Sequence, residues 1–258
     1  MTATRLHHTV DAAPDLPPDA PVVVLGPSIG ARLGMWDPQV PVLAAEFRVV
    51  RYDTRGHAPS PVPPGPYDVD DLADDVVALL DELEVERAHL VGLSLGGMTA
   101  AAVAARYPER VARLALLFTT AAFDDPAPWL ARIETVRERG TGAIAEAVVG
   151  RWFTPGFADA HPDLVERCRG WLRDVSDEGY AACCHALATL DLRDRLPEIE
   201  APTLVVSARD DAAIPPVHQE RLAASIAGAH LVHVPGAHLA NLESVDAVTG
   251  ALLHHLRG

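Results

Sequence analysis

The chain has 258 residues, of which 49% are hydrophobic and 22% charged, and its formal net charge is -15. This composition is globular, and so acidic a surface argues against nucleic acid and anionic membranes as partners. The three cysteines, an odd number, do not form a disulfide framework. No stretch at the start is apolar enough for a signal peptide, and none elsewhere is long enough to span a membrane. We therefore expect a cytoplasmic protein.

Short apolar, β-branched runs recur along the chain, separated by stretches with helical spacing. Because these runs are apolar almost throughout, they are typical of a parallel sheet that is covered on both faces. The predicted strands are 22–25, 47–53, 87–93, 111–118, 203–208 and 230–234.

Two helices are predicted between these strands. Residues 69–83 place leucine and valine at helical spacing, and acidic residues fill the first turn, where the helix dipole favours them. Residues 94–107 are small and rich in alanine, as expected of a helix that packs tightly on a sheet. The alternation of strands and helices predicts an α/β fold with a mostly parallel central sheet.

The alternation stops between residues 124 and 197. This region reads as several helices, and no convincing strand interrupts them. We predict a helical cap, residues 124–197, inserted into an α/β core formed by residues 1–123 and 198–258. The helices predicted within the cap are 129–140, 141–150, 162–170 and 177–190.

The stretch Gly92-Leu93-Ser94-Leu95-Gly96 follows a predicted strand and opens a predicted helix. A nucleophile elbow requires this context, because it holds a serine hydroxyl on a sharp turn at the edge of the sheet. The helix N-terminus that follows favours developing negative charge. Ser94 is therefore the candidate nucleophile, and the alternative is an ordinary glycine-rich turn.

A nucleophilic serine needs a base, and twelve histidines compete for that role. His238 lies in VPGAHLANLES, just after the last predicted strand, where a loop reaches the same sheet edge as Ser94. His57 follows the RYDTRG strand end, and we expect it to shape a loop. We predict that His238 is the base.

The acid that orients the histidine should lie between Ser94 and His238 in sequence, after another strand. VVSARDDAAIPP supplies both Asp210 and Asp211, and the residues alone leave the choice between them open. The acidic pair 124–125 is a further alternative. The order Ser94, aspartate, His238 is that of an α/β-hydrolase triad.

Hydrolysis also needs donors for the oxyanion. One is the backbone N–H of Leu95, the residue after the nucleophile, and we predict that Ile29 in the GPSIG loop supplies the other. Loss of one such donor typically costs about 100- to 1000-fold in rate. The alternative is that GPSIG is an ordinary tight turn.

Together these stretches resemble the α/β-hydrolase superfamily and, within it, the 3-oxoadipate enol-lactonases of the β-ketoadipate pathway. The resemblance covers most of the chain and includes PSIGARLGMWDPQ, VGLSLGGM, GRWFTPGF, GYAACCHAL and GAHLANLES. Only the serine and histidine motifs are common to the whole superfamily, whereas WDPQ, RWFTP and GYAACC are more specific to the lactonases.

The resemblance implies that Asp211 is the triad acid and that Arg151 and Trp152 lie near the substrate. An arginine there can pair with the carboxylate of an anionic lactone. The chain departs from the family pattern at Pro27, Ala58 and His185. These departures leave the triad intact, and we expect them near the pocket and its oxyanion loop, where they bear on the substrate.

We therefore predict a serine hydrolase that opens 3-oxoadipate enol-lactone in aromatic catabolism, through an acyl-enzyme and without a metal or organic cofactor. Its partner is a small anionic lactone or ester, and a homo-oligomer is left open. One alternative keeps the triad but changes the substrate to another ester, lactone or C–C bond in secondary metabolism. Another is a hydrolase-fold protein that binds a small ligand without turnover.

Overall fold

A computed structural model describes residues 2–258, and within them the strands form one seven-stranded sheet. The sheet order is β1-β3-β2-β4-β5-β6-β7, with β1 antiparallel to β3 and the other strand pairs parallel. This confirms the predicted α/β fold with a mostly parallel sheet. In chain order the strands are β1 His8–Asp11, β2 Val22–Gly26, β3 Arg48–Tyr52, β4 Ala88–Leu93, β5 Val111–Leu117, β6 Thr203–Ala208 and β7 His230–Val234.

Helices flank the sheet and fill the long connection between β5 and β6. None of those in residues 2–258 is long and apolar enough to cross a membrane. In chain order they are α1 Val40–Leu43, α2 Val69–Glu82, α3 Leu95–Arg106, α4 Ala127–Arg139, α5 Ala145–Val149, α6 Pro155–Ala160, α7 Pro162–Arg173, α8 Asp177–Ala188, α9 Pro216–Ser225, α10 Ala240–Glu243 and α11 Val245–Arg257.

Small side chains let α3 lie close to the sheet. Residues 95–105 of this helix are all buried, as are all residues of β2 and β4. The start of α2 is fixed by a capping box, in which the Asp68 carboxylate accepts from Asp71 N–H at 2.8 Å and the Asp71 carboxylate from Asp68 N–H at 3.0 Å. The capping box thus fixes where α2 begins, and the small residues of α3 bring the helix that follows Ser94 close to the sheet.

The helices α4 to α8 are anchored to the rest of the chain at two places. Where the segment leaves and rejoins the sheet, Ala122 and Asp191 form an isolated antiparallel bridge, and Leu192 N–H donates to Ala121 O at 2.8 Å. At its far side, α8 meets the loop after β3 so closely that a Cβ on Gly179 would lie 2.3 Å from the Gly56 carbonyl oxygen. The second contact requires glycine.

The structure adds elements that the sequence pattern did not predict. They are β1 and the helices α1, α6, α9, α10 and α11. The β1 strand is only four residues long, HTVD, and lies at the edge of the sheet, so neither length nor an apolar run marks it. The six predicted strands agree with the structure to within one residue at each end.

Candidate active site

Ser94 lies on the turn between β4 and α3 with φ 55° and ψ -117°, a left-handed conformation that is strained for a residue with a Cβ. The surrounding glycines allow this turn to close. A Cβ on Gly92 would lie 2.1 Å from the Gly96 carbonyl oxygen, and one on Gly96 would lie 2.3 Å from that of Gly26. The chain therefore forms a sharp strand–helix turn at Ser94, which is the geometry that a nucleophile elbow requires.

His238 follows β7 and contacts an aspartate from the loop after β6. Its Nδ1 lies 2.8 Å from Asp211 Oδ2, and both residues are only 3% exposed. Asp211 Oδ1 accepts from the N–H groups of Ala213 and Ile214 at 2.8 and 2.9 Å, so the carboxylate is held from both sides. Asp210 is exposed. The structure thus brings Asp211, rather than Asp210, against the imidazole.

A cavity of about 230 Å³ opens beside these residues. Its volume suits a small molecule, and both Ser94 and His238 line it, so the two residues border a common space. Asp211 does not line the cavity and reaches it only through His238. The cavity is bordered by five of the seven residues that the sequence singled out, namely Ile29, Ser94, Arg151, Trp152 and His238.

The backbone N–H groups of Ile29 and Leu95 have no hydrogen-bond acceptor among residues 2–258. Buried backbone donors are rarely left unpaired, so two such groups beside the candidate nucleophile mark a place where an oxyanion could be held. The neighbouring N–H groups all have acceptors: Ser28 donates to Met35 Sδ, Gly30 to His57 Nε2, Ser94 to Leu117 O and Gly96 to Pro27 O.

Two arginines border the cavity without a carboxylate partner. Arg151 was predicted near the substrate, whereas Arg132 on α4 was not. Neither forms an ion pair within the described residues, and the Arg132 guanidinium carbon lies 4.6 Å from the centre of the Trp129 ring. Partial burial and the charge of Arg132 lower the pKa of the Arg151 guanidinium. The carboxylate at this wall, on Asp125, accepts from a backbone N–H on its own loop. An anionic ligand would relieve the repulsion between the two arginines.

None of Pro27, Ala58 and His185, where the chain departs from the family pattern, lines the cavity itself. Ala58 is exposed, and His185 Nδ1 lies 3.1 Å from the Tyr67 carbonyl oxygen. Pro27 does lie in the oxyanion loop, where its carbonyl accepts from Gly96 N–H at 3.0 Å. That contact joins the loop to the first turn of α3.

Comparison with known proteins identifies the family. Residues 21–245 match the model of the alpha/beta hydrolase fold. The chain belongs to the α/β-hydrolase family. It is 37% identical to 3-oxoadipate enol-lactonase 2 of Acinetobacter baylyi over 91% of this chain and 88% of the relative. It is also 31% identical to the putative carbamate hydrolase RutD of Pantoea ananatis, over 93% of this chain and 89% of that protein.

A solved structure gives the same result. The enol-lactonase from Burkholderia xenovorans LB400 superposes with a TM-score of 0.95 at 40% identity, covering 98% of this chain and 96% of that one. The resemblance to enol-lactonases is therefore confirmed. The chain is an enzyme of the carboxylic ester hydrolase class, as the sequence predicted. In residues 2–258, no group of three or more histidine, cysteine or acidic side chains converges in a way that would hold a metal ion.

Proposed function

We propose that the protein is a serine hydrolase that opens a small lactone bearing a carboxylate, and that 3-oxoadipate enol-lactone is its substrate. One observation carries the proposal. A single cavity joins Ser94 and the paired His238 to two arginines that no protein carboxylate neutralises. The relatives that are named enol-lactonases support the same reaction.

The first step forms an acyl-enzyme. His238 Nε2 takes the proton from Ser94 Oγ while that oxygen attacks the lactone carbonyl carbon. Asp211 accepts the Nδ1–H of the imidazole, which keeps the ring in the correct tautomer and stabilises the imidazolium. The ring C–O bond then breaks, its electron pair leaves as an enolate, and His238 returns the proton. The leaving group stays attached to the acyl chain.

The oxyanion that forms on the carbonyl oxygen is held by the N–H groups of Ile29 and Leu95. These donors are free of other partners and lie on rigid supports, the loop after β2 and the first turn of α3. They therefore need no reorganisation when the negative charge develops. The N-terminus of α3 adds its dipole to the same position.

Water completes the reaction. His238 removes a proton from a water molecule that attacks the ester carbonyl of the acyl-enzyme, and the Ser94 oxygen leaves with that proton. The released product is a carboxylate, and its enol becomes a ketone by tautomerisation. His238 carries the proton in both acylation and deacylation, and the proposed scheme uses no metal or organic cofactor.

The substrate carboxylate is recognised by Arg132 and Arg151. A guanidinium donates two parallel N–H groups to a carboxylate, which fixes orientation as well as charge. Trp152, 3% exposed, supplies an apolar wall. These residues belong to the segment 124–197, which we propose acts as a cap over the core. The proposed substrate is small. The cytoplasmic location of the protein stays a prediction.

The role of the arginines is tested by Arg132→Gln and Arg151→Gln. Each variant should lower kcat/KM for the anionic enol-lactone by about tenfold, the value of a solvent-screened, charge-assisted hydrogen bond. Neither should change hydrolysis of neutral p-nitrophenyl acetate by more than about twofold. Arg137→Gln, an exposed arginine on the same helix, is the control. Equal losses on the neutral ester would contradict carboxylate recognition.

The substrate itself is tested by following 3-oxoadipate enol-lactone turnover in real time with wild-type protein and Ser94→Ala. We expect turnover by the wild type only. A second candidate function keeps the triad but takes a different ester or a carbamate as substrate. The similarity to RutD is the reason to include carbamates among the substrates tested. Comparison of kcat/KM values across enol-lactone, aryl esters and carbamates decides between them. A fluorophosphonate that fails to label Ser94 would instead favour a binding protein.

A further inference from the structure

His57 stands outside the proposed triad, yet it contacts the oxyanion loop. Its side chain is completely buried, and its Nε2 accepts a hydrogen bond from the Gly30 N–H at 2.8 Å. Gly30 is the residue after Ile29, the proposed oxyanion donor. The other ring nitrogen of His57, Nδ1, lies 3.3 Å from the Arg55 carbonyl oxygen, which accepts the ring N–H. The ring is thus oriented by one donor and one acceptor.

The Gly30 N–H belongs to a tight turn. Ala31 N–H donates to the Ser28 carbonyl at 3.1 Å and closes the turn, and Gly30 has φ +77°. A positive φ at the third residue is the mark of a type II turn. Rotation of the peptide between Ile29 and Gly30 would convert it into a type I turn, in which Gly30 N–H points away from the histidine. The bond to His57 therefore selects one of two turn forms.

Three backbone groups next to the Ile29 N–H are held by hydrogen bonds. Ser28 N–H donates to Met35 Sδ at 3.3 Å, Ser28 O accepts from Ala31, and Gly30 N–H donates to His57. Only the Ile29 N–H remains free. Misplacement of a catalytic group by about 1 Å can cost about 100-fold in rate. Loss of one hydrogen bond that holds this loop should therefore lower the rate.

We propose that His57 is a positioning residue that holds the oxyanion loop in its active turn by accepting the Gly30 N–H. The inference rests on the proposed function, because it assumes that Ile29 donates to the oxyanion. It adds a residue that acts on the reaction through Gly30 and Ile29 without touching the substrate. His57 does not border the cavity.

The protonation state of His57 suits this role. Burial lowers the pKa of His57 to about 4, so the ring is neutral at neutral pH and its Nε2 carries a lone pair. The surroundings hold the ring in place from the other side as well. The Tyr180 ring of α8 lies 6.4 Å from it between centres, and Gly56 packs directly on the α8 backbone.

The test compares His57→Gln, whose amide oxygen reaches the position of Nε2, with His57→Leu, which has no acceptor. Hydrolysis of p-nitrophenyl acetate is measured, because any ester needs the oxyanion hole whether or not the enol-lactone is the substrate. For His57→Leu we expect kcat to fall by about 100-fold with KM within about threefold. For His57→Gln we expect a loss of less than about fivefold.

A second readout separates positioning from general loss of structure. A boronic acid forms a tetrahedral, anionic adduct on a nucleophilic serine, so its inhibition constant should rise in His57→Leu by the same factor as kcat/KM falls. The control is His89→Leu, the same change at another buried histidine, at the opposite end of β4 from Ser94. It should leave kcat and boronate affinity unchanged.

The outcomes are distinct. If His57→Leu lowers the melting temperature but leaves kcat and boronate affinity as in wild type, or if His57→Gln is as impaired as His57→Leu, the positioning role is wrong. If His57→Leu does not fold, His57→Asn replaces it, since its shorter amide does not reach Gly30. Failure of the proposed function shows separately, as wild-type protein that neither hydrolyses esters nor reacts with a fluorophosphonate at Ser94.

Discussion

The contact between Asp211 and His238 leads to a quantitative prediction for Asp211→Asn. An asparagine at this position has one oxygen and one NH₂ group. Two backbone donors, Ala213 and Ile214, face the carboxylate at 2.8 and 2.9 Å, and both need an acceptor. The amide oxygen must turn toward them, so the NH₂ group faces His238 Nδ1. The imidazole proton must then sit on Nε2, and a protonated Nε2 can no longer accept the proton of Ser94.

The expected loss is large and confined to catalysis. A wrong histidine tautomer lowers kcat by about 10⁴-fold, or about 5 kcal/mol in activation free energy. The free energy of unfolding should change by about 1 kcal/mol or less, because the backbone hydrogen bonds survive. The assay is hydrolysis of p-nitrophenyl acetate, alongside urea unfolding of each variant.

Asp210→Asn is the matched control, since Asp210 is exposed and adjacent. It should stay within about twofold of wild type. If Asp211→Asn retains more than a tenth of wild-type kcat, or if Asp210→Asn is the variant that loses activity, the assignment of the acid is wrong.

Two further predictions concern stability. Gly92→Ala should abolish activity and lower the unfolding free energy by about 3 kcal/mol, because the added Cβ would lie 2.1 Å from the Gly96 carbonyl. Burial lowers the pKa of His89 to about 4, against ~6.5 unfolded, so the unfolded state binds its proton first as pH falls. Between pH 7.5 and pH 5 wild type should therefore lose about 2 kcal/mol more than His89→Leu in urea unfolding.

Each of these has a result that would count against it. Gly142→Ala is the control for the elbow, since nothing lies within 4 Å of a Cβ there. Equal stability of the Gly92 and Gly142 variants would contradict the close approach at the elbow. If the unfolding free energies of wild type and His89→Leu change equally between pH 7.5 and pH 5, His89 is not held neutral in the folded protein.

The elements that the sequence predicted are those with a local signature. Strands β2, β4 and β6 agree because every residue in them is buried and most are apolar, although β7, also predicted, is mostly exposed. The serine turn agrees because the close contact between Gly92 and Gly96 lies within five residues. Residues 8–11 carried no such signal. Their strand exists because its edge pairs with β3, where His8 lies opposite Tyr52 and Asp11 opposite Val49. Pairing of that kind depends on tertiary structure rather than on periodicity.

Parts of the site were hidden for the same reason. Arg132 is one of several arginines on α4, and nothing in the pattern separates it from Arg137, which is exposed. His57 was expected to shape a loop, but its partner, Gly30, lies 27 residues earlier in the chain. The choice between adjacent aspartates needed the direction of each side chain, which a strand end does not fix. The places of Arg132 and His57 and the choice between Asp210 and Asp211 all depend on contacts between segments that are distant in sequence.

The measurement that tests the account most directly is the mass of the enzyme trapped during turnover. Acid quenching of wild-type protein with 3-oxoadipate enol-lactone, followed by peptide mapping, should find one adduct on the peptide that contains Ser94. Its mass should equal that of the whole lactone, because the opened leaving group stays attached. The Ser94→Ala protein should show neither adduct nor turnover. Undiminished turnover by that variant, or an adduct on another residue, would contradict a serine hydrolase built around Ser94 and His238.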